Sequence, residues 1–150
     1  VVRQARELGF KGGFVIMDQA KIDEVAKVSG GLDSLEGSVG VVPLANYNTP
    51  GAERFVKLWK EKHDGVATSE TAYHYFAMYL MMHAMQEAGS VDDPVAIRAA
   101  IPEALKDVDP KHNPYDVTAI TDDGNLGAEP QIAEVKDGKV MIRETRDYKE

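Results

Sequence analysis

The side chains best suited to metal binding or acid–base chemistry in this 150-residue chain are its four histidines, His63, His74, His83 and His112. They are too scattered along the chain to form a metal-ligand pattern. His74 and His83 are nine residues apart, which on a helix places them on different turns and not quite on one face. The acidic segment at 122–125 lacks the ligand spacing and the closing Glu of a calcium loop. We therefore predict no metal site.

The glycine-rich segment Ser-Gly-Gly-Leu-Asp-Ser at residues 29–34 resembles the phosphate-binding loop of ATP pyrophosphatases and related synthetases. Such a loop needs a hydrophobic strand before it and a helix after it, so that backbone N–H groups meet the pyrophosphate at the helix N-terminus. Here residues 21–28 show helical spacing with charged side chains, and a strand-like run follows Gly37. We predict a glycine-rich turn and keep an ATP-dependent synthetase as an alternative function.

The composition excludes several classes of function. The net charge is -8 and no stretch clusters Lys or Arg with aromatic residues, which argues against binding to nucleic acid or to anionic membrane surfaces. There is no cysteine, so neither disulfides nor thiolate chemistry are possible, and no other nucleophile motif is present. We predict no catalysis and no cofactor. The chain begins with Val1 inside an apparent helix that ends at Gly9, so we expect it to be part of a longer protein.

The main element of the chain is a long helix predicted at residues 69–90, which contains His74 and His83. Between Glu70 and Glu87 it contains no charged residue, and a helix that is apolar on all faces has to be covered on all sides. Ser69 is the predicted N-cap, and Gly89 supplies the left-handed residue that ends the helix. Two histidines, three tyrosines and a glutamine inside the run argue against a membrane span. We predict a buried helix of a soluble domain.

Before this helix, the pattern alternates between strand and helix. Residues 13–17 form a short apolar run that is typical of a buried parallel strand, and Asp18 and Gln19 follow where it ends. A second strand is predicted at 38–42. Helices dominate the middle of the chain and strands return at its end, which indicates an α/β chain that passes between two layered units.

The last third of the chain contains two further local signals. An Asp at 92 or 93 caps a helix in which Pro102 predicts a kink or a restart. The Asp137-Gly138 pair between the apolar segments of residues 131–142 predicts a β-hairpin.

The order and spacing of these features resemble the branched-chain amino acid (Leu/Ile/Val) type of substrate-binding protein of ABC transporters. The resemblance covers essentially the whole chain, but only the C-terminal half of a family member. The matching features are the helix Gln4–Gly9, Glu36-Gly37 with a strand that ends at Pro43, Tyr75 followed by Ala-Gly-Ser at 88–90, the segment 122–125 and the final hairpin.

This resemblance implies an α/β protein of the periplasmic-binding-protein type I fold, with two lobes of three α/β/α layers, present here as a C-terminal fragment. Residues 1–64 and 129–150 would belong to the second, C-terminal lobe. Residues 65–128 would form part of the first, N-terminal lobe. The ligand would be enclosed between the lobes.

The resemblance also implies which residues bind the ligand. In amino-acid-binding members, the Glu that corresponds to Glu36 accepts hydrogen bonds from the α-ammonium of the ligand, and charge-assisted hydrogen bonds of this kind are strong. In such folds ligands bind beyond the carboxyl ends of the strands, which favours Asp18 and Gln19 as further cleft residues. Tyr75 corresponds to a Tyr near the hinge and cleft. Open alternatives are a solvated turn position for Glu36 and simple core packing for Tyr75.

The implied function is that of an extracytoplasmic solute-binding component of an ABC importer. Its ligand would be an amino acid, an amide or a small carboxylate, and its partners would be the membrane permease subunits and the missing N-terminal half of the same protein. The expected location is the periplasm, or the cell surface with a lipid anchor. A ligand-sensing regulatory domain of the same fold is the alternative within this class.

Overall fold

A computed structural model describes residues 1–17, 20–128 and 131–144. The described residues form two compact units, one of residues 1–46 with 131–144 and one of residues 47–128. The predicted cleft residues Asp18 and Gln19 lie outside the described residues. The predicted division into lobes of a larger protein stays a prediction.

The helices and strands, in chain order, are α1 (Val2–Glu7), β1 (Val15–Ile16), α2 (Ile22–Ser29), β2 (Val39–Val41), α3 (Pro50–Lys62), α4 (Ser69–Ala88), α5 (Pro94–Lys106), β3 (Ala119–Ile120), β4 (Leu126–Gly127), β5 (Gln131–Lys136) and β6 (Lys139–Glu144). Within the described residues, none of the helices has both the length and the apolar character that crossing a membrane requires.

The first unit contains a sheet in the order β1-β2-β5-β6. β1 pairs with β2 in parallel, and the antiparallel hairpin of β5 and β6 continues the sheet from β2. β1 and β2 approach closely because residue 40 is glycine, since a Cβ atom there would lie 2.0 Å from the carbonyl oxygen of Ile16. The core of this unit includes Leu35, Val42 and Val135, each fully buried. The hairpin predicted from Asp137-Gly138 is confirmed.

The second unit is mostly helical. α3 begins after Thr49, whose hydroxyl accepts a hydrogen bond from the Ala52 N–H at 3.1 Å. A short 3-10 turn at Pro110–His112 leads into the backbone of Asn113, which lies so close to α3 that only glycine fits at residue 51. This contact places the loop after α5 against the start of α3.

The N-cap of α4 is Thr68 and not the predicted Ser69. Thr68 and Thr71 form a capping box, in which each side chain bonds to the backbone N–H of the other residue. Gly89 adopts the predicted left-handed conformation with φ of 62°. Thr68 serves better as N-cap because it has a second hydroxyl three residues later with which to complete the box.

Burial of α4 on all sides is not seen in the described residues. One face, whose residues are spaced three or four apart, is buried. Other faces leave four large side chains between 37% and 63% exposed, namely Tyr73, Met78, Met81 and Met82. The helix therefore packs along one face and leaves much of its apolar surface accessible.

Of the two outcomes expected at Pro102, a restart is not seen in α5, and a kink stays a prediction. The helix continues from Pro94 to Lys106 without a restart, and Pro102 is exposed. A proline on the exposed side of a helix loses one backbone hydrogen bond, while the buried face that includes Ile97 and Leu105 still packs. Asp93 is the N-cap, accepting from the N–H groups of Val95 and Ala96 at 3.0 Å.

Candidate functional site

Glu36 is held by the turn of the β5–β6 hairpin. The N–H groups of Asp137 and Gly138 donate to its two carboxylate oxygens at N···O distances of 3.0 and 3.2 Å. Both turn residues have positive φ, 52° and 67°, as a type I′ turn requires. That conformation directs the two N–H groups at Glu36, which stays exposed. Within the first unit, Glu36 therefore holds the turn in place.

The predicted role of Glu36 toward a ligand ammonium stays a prediction. A carboxylate can accept about four hydrogen bonds, two for each oxygen. The two turn amides use two of these positions, so the exposed carboxylate retains acceptor capacity for a cationic group.

Tyr75 occupies a polar junction in the second unit. Its hydroxyl accepts a hydrogen bond from Nη1 of Arg54 at 3.1 Å. It also forms a short hydrogen bond with Nδ1 of His112. Because an Arg guanidinium can only donate, the Tyr75 O–H is available to donate to His112, which assigns the neutral ring with its proton on Nε2.

The pKa values of this junction favour the neutral forms. Burial raises the pKa of the Tyr75 hydroxyl above its usual value, against the opposing influence of Arg54. Burial also lowers the pKa of His112, and the positive charge of Arg54 lowers it further. Arg54 therefore carries the charge of the group, and the other two side chains act as neutral hydrogen-bonding partners.

Aromatic stacking attaches His112 to α4. The His112 ring lies parallel to Tyr79, with ring centroids 4.1 Å apart and planes inclined by 5°, and Tyr79 also contacts His83 at 4.7 Å. The spacing of these histidines in the sequence argues against a metal-ligand pattern and does not indicate that both contact Tyr79. Asp109 before Pro110 does indicate a local turn, and its side chain accepts from the Lys111 N–H, but no local pattern shows which helix the turn meets.

A cavity of about 580 Å³ lies between α3 and α4, and Tyr75 is in its wall. The lining residues come from these two helices and from the residue that follows α3: Phe55, Leu58, Trp59, Lys62, His63, Thr71, His74, Tyr75 and Met78. Rings of the wall contact one another, with centroids 5.2 Å apart for Phe55 and Tyr75 and 4.3 Å for Trp59 and His63. The indole N–H of Trp59 is buried without an acceptor among the described residues.

The wall is therefore largely aromatic and apolar, with basic side chains among its polar groups. A second cavity of about 400 Å³ lies between α4, α5 and the β3–β4 hairpin, where Arg98 donates to the Asp122 carbonyl oxygen at 3.2 Å.

The glycine-rich segment at 29–34 has the geometry of a turn. α2 precedes it instead of a strand, and a short 3-10 turn follows it. The hydroxyl oxygens of Ser29 and Ser34 lie 2.6 Å apart, and Ser34 also donates to the Gly31 carbonyl oxygen. The two hydroxyls thus bond within the turn, and the strand–loop–helix context of a phosphate loop is missing. Across the described residues, no three His, Asp or Glu side chains come together as metal ligands.

Residues 1–139 match the family described as periplasmic binding protein. The chain matches no curated protein sequence. Among solved structures it is similar to a leucine binding protein, LivK, from Thermotoga maritima, with 25% sequence identity and a TM-score of 0.62. The match covers 97% of this chain and 41% of that one, so the chain spans less than half the length of this neighbour.

These matches confirm the family and the type I periplasmic-binding fold that the sequence analysis predicted. The mixed sheet of the first unit and the helical second unit agree with that α/β fold. The chain belongs to the periplasmic binding protein family.

Proposed function

We propose that the protein is the solute-binding component of an ABC importer and binds an amino acid or a similar small polar solute between two lobes. The family match over residues 1–139 carries this proposal. The similarity to a leucine binding protein favours an amino acid as the ligand. The protein would work outside the cytoplasm, in the periplasm or on a lipid anchor, and deliver its solute to membrane permease subunits.

Within this proposal, Glu36 and Tyr75 contribute to the ligand site together with Asp18 and Gln19. Glu36 supplies a negative charge for the ligand ammonium through the acceptor positions that the hairpin turn leaves unused. Tyr75 supplies an uncharged hydroxyl and an aromatic ring. The solute would leave chemically unchanged, because the role needs only binding and release.

Ligand binding would close the two lobes, and the permease would recognise the closed form. A solute that contacts both lobes stabilises the closed state by its difference in affinity between the two states. No covalent step is needed.

Thermal-shift screening of the full-length protein tests the proposal, with amino acids, amides and small carboxylates as candidate ligands. A ligand at a hundred times its dissociation constant should add about 2.7 kcal/mol of stability. Absence of stabilisation by any of these solutes would contradict the proposal. A magnesium-dependent stabilisation by ATP that is lost in Asp33→Ala would replace it with the synthetase alternative.

The Glu36→Gln variant tests the ammonium contact. Hydrogen bonds to charged groups contribute roughly 1.5–3 kcal/mol, so affinity for an amino acid should fall by about ten- to a hundred-fold. Gly138→Ala is the matched control, because it strains the same turn at a φ of 67° but keeps the carboxylate. Equal losses of affinity in both variants would mean that Glu36 acts on binding only through the turn.

A further inference from the structure

We propose that the cavity between α3 and α4 binds a small aromatic carboxylate. This site goes beyond the proposed solute cleft, because residues 47–128 form it alone. Tyr75 is assigned both to the proposed solute cleft and to this cavity. The other residues used below belong to the cavity only.

The walls of the cavity suit an aromatic ring. Phe55 and Tyr75 present rings inclined by 46° to each other, and Phe55 and Trp59 present rings inclined by 36°. Met78, which is 63% exposed, adds a polarisable thioether beside them. Offset-stacked and edge-to-face contacts between rings contribute about 0.5–1.5 kcal/mol beyond the burial of area. A flat apolar group therefore has several partners here.

The charges at the cavity favour an anion. The chain carries 25 Asp and Glu against 17 Lys and Arg, yet no carboxylate side chain lines the cavity within the described residues. Lys62 lines it, with His63 and His74. Lys62 has no ion-pair partner among the described residues, so its ammonium is available to a ligand. The local charge is thus opposite in sign to that of the whole chain.

The two histidines add polar contacts. Nδ1 of His74 lies 2.7 Å from the Glu70 carbonyl oxygen, so this nitrogen donates to the backbone. His74 is exposed, and with Nδ1 donating, Nε2 of the neutral ring is an acceptor, so Lys62 is the charge-assisted donor for a carboxylate here. His63 contacts Trp59 through its ring and is also exposed. A carboxylate beside Lys62 would accept charge-assisted hydrogen bonds while its ring packs against the aromatic wall.

The size of the cavity agrees with a ligand of this class. Its volume of about 580 Å³ falls within the range of roughly 300–1,000 Å³ that is common for small-molecule sites. An apolar lining with a few polar groups is also the usual composition of such sites.

Fluorescence of Trp59 tests the proposal, because Trp59 is the only tryptophan of the chain and lines the cavity. The probe is 3-phenylpropanoate, with neutral 3-phenylpropanamide and cationic 3-phenylpropylamine as matched compounds. We expect a saturable change in emission with the carboxylate, at an affinity at least about five-fold higher than with the amide. Equal affinity for all three compounds, or no saturable change, would overturn the proposal.

Two variants on the same helix separate a specific contact from general electrostatics. Lys62→Gln should lower the affinity for the carboxylate to that for the amide, and leave the amide unaffected. Lys60→Gln removes the same charge from an exposed position outside the cavity and should change neither affinity. An equal effect of the two variants on the affinity for the carboxylate would contradict a specific contact with Lys62.

Competition separates this site from the proposed solute cleft. In the full-length protein, an amino acid identified by thermal shift should bind equally well with 3-phenylpropanoate present, and Lys62→Gln should not change its affinity. Displacement of one by the other would show a single site and overturn this inference. Failure of every amino acid, amide and other small carboxylate to bind would contradict the proposed function and leave the fluorescence result standing.

Discussion

Replacing Glu36 by Gln should destabilise the β5–β6 hairpin even without a ligand. From the sequence, a cleft carboxylate open to water is expected to contribute little to folding. In the structure, however, its two oxygens accept from two successive turn amides, at 3.0 and 3.2 Å. Gln keeps one acceptor oxygen and presents an NH₂ group, a donor, to the second amide.

The loss can be estimated from these two contacts. Hydrogen bonds to a charged acceptor contribute roughly 1.5–3 kcal/mol, and the lower end applies because this carboxylate is exposed. Losing one such bond and weakening the other should cost about 1.5 kcal/mol. For a protein of this size, that corresponds to a fall in melting temperature of about 3–6 °C.

The assay combines thermal unfolding, followed by circular dichroism, with hydrogen exchange of the Asp137 and Gly138 amides. Both amides should exchange faster in Glu36→Gln, because each loses or weakens its acceptor. Glu87→Gln removes a carboxylate from the exposed end of α4 and serves as the control. Unchanged exchange at Asp137 and Gly138, with an unchanged melting temperature, would refute the structural role of Glu36.

Three further outcomes are expected. Arg6→Lys should lower the free energy of unfolding by about 1–2 kcal/mol in urea titrations, because the guanidinium donates to three backbone carbonyl oxygens at 2.7–2.8 Å and an ammonium cannot match that fork. Gly51→Ala should cost about 1–3 kcal/mol, because its Cβ would lie 2.4 Å from the Asn113 carbonyl group. His112 has a lowered pKa in the folded state, so the unfolded chain binds its proton more readily; the wild type should lose stability as pH falls below about 6.5, towards the folded pKa. His112→Gln should reduce that loss, and an identical pH profile in the variant would contradict the assignment.

Local signals in the sequence predicted several elements correctly. Gly89 ends α4, Asp93 caps the start of α5, and Asp137-Gly138 forms the hairpin turn. Each of these depends on a backbone conformation or a hydrogen bond within a few residues, so the nearby sequence contains the cause. Pro102 did not restart the helix, because its exposed position in α5, which depends on packing, allows the helix to continue.

The family and the α/β fold could be predicted from the sequence, because the order and spacing of elements along a chain are themselves sequence properties. The surroundings of the candidate residues could not. Glu36 meets a turn about 100 residues later in the chain, and Tyr75 meets His112, 37 residues away. Contacts over such separations depend on how the strands pair and the helices pack, and no local pattern records them. Tertiary structure alone decided that Glu36 holds a hairpin and that Tyr75 lies in an aromatic cavity, since both follow from elements that meet only when the chain folds.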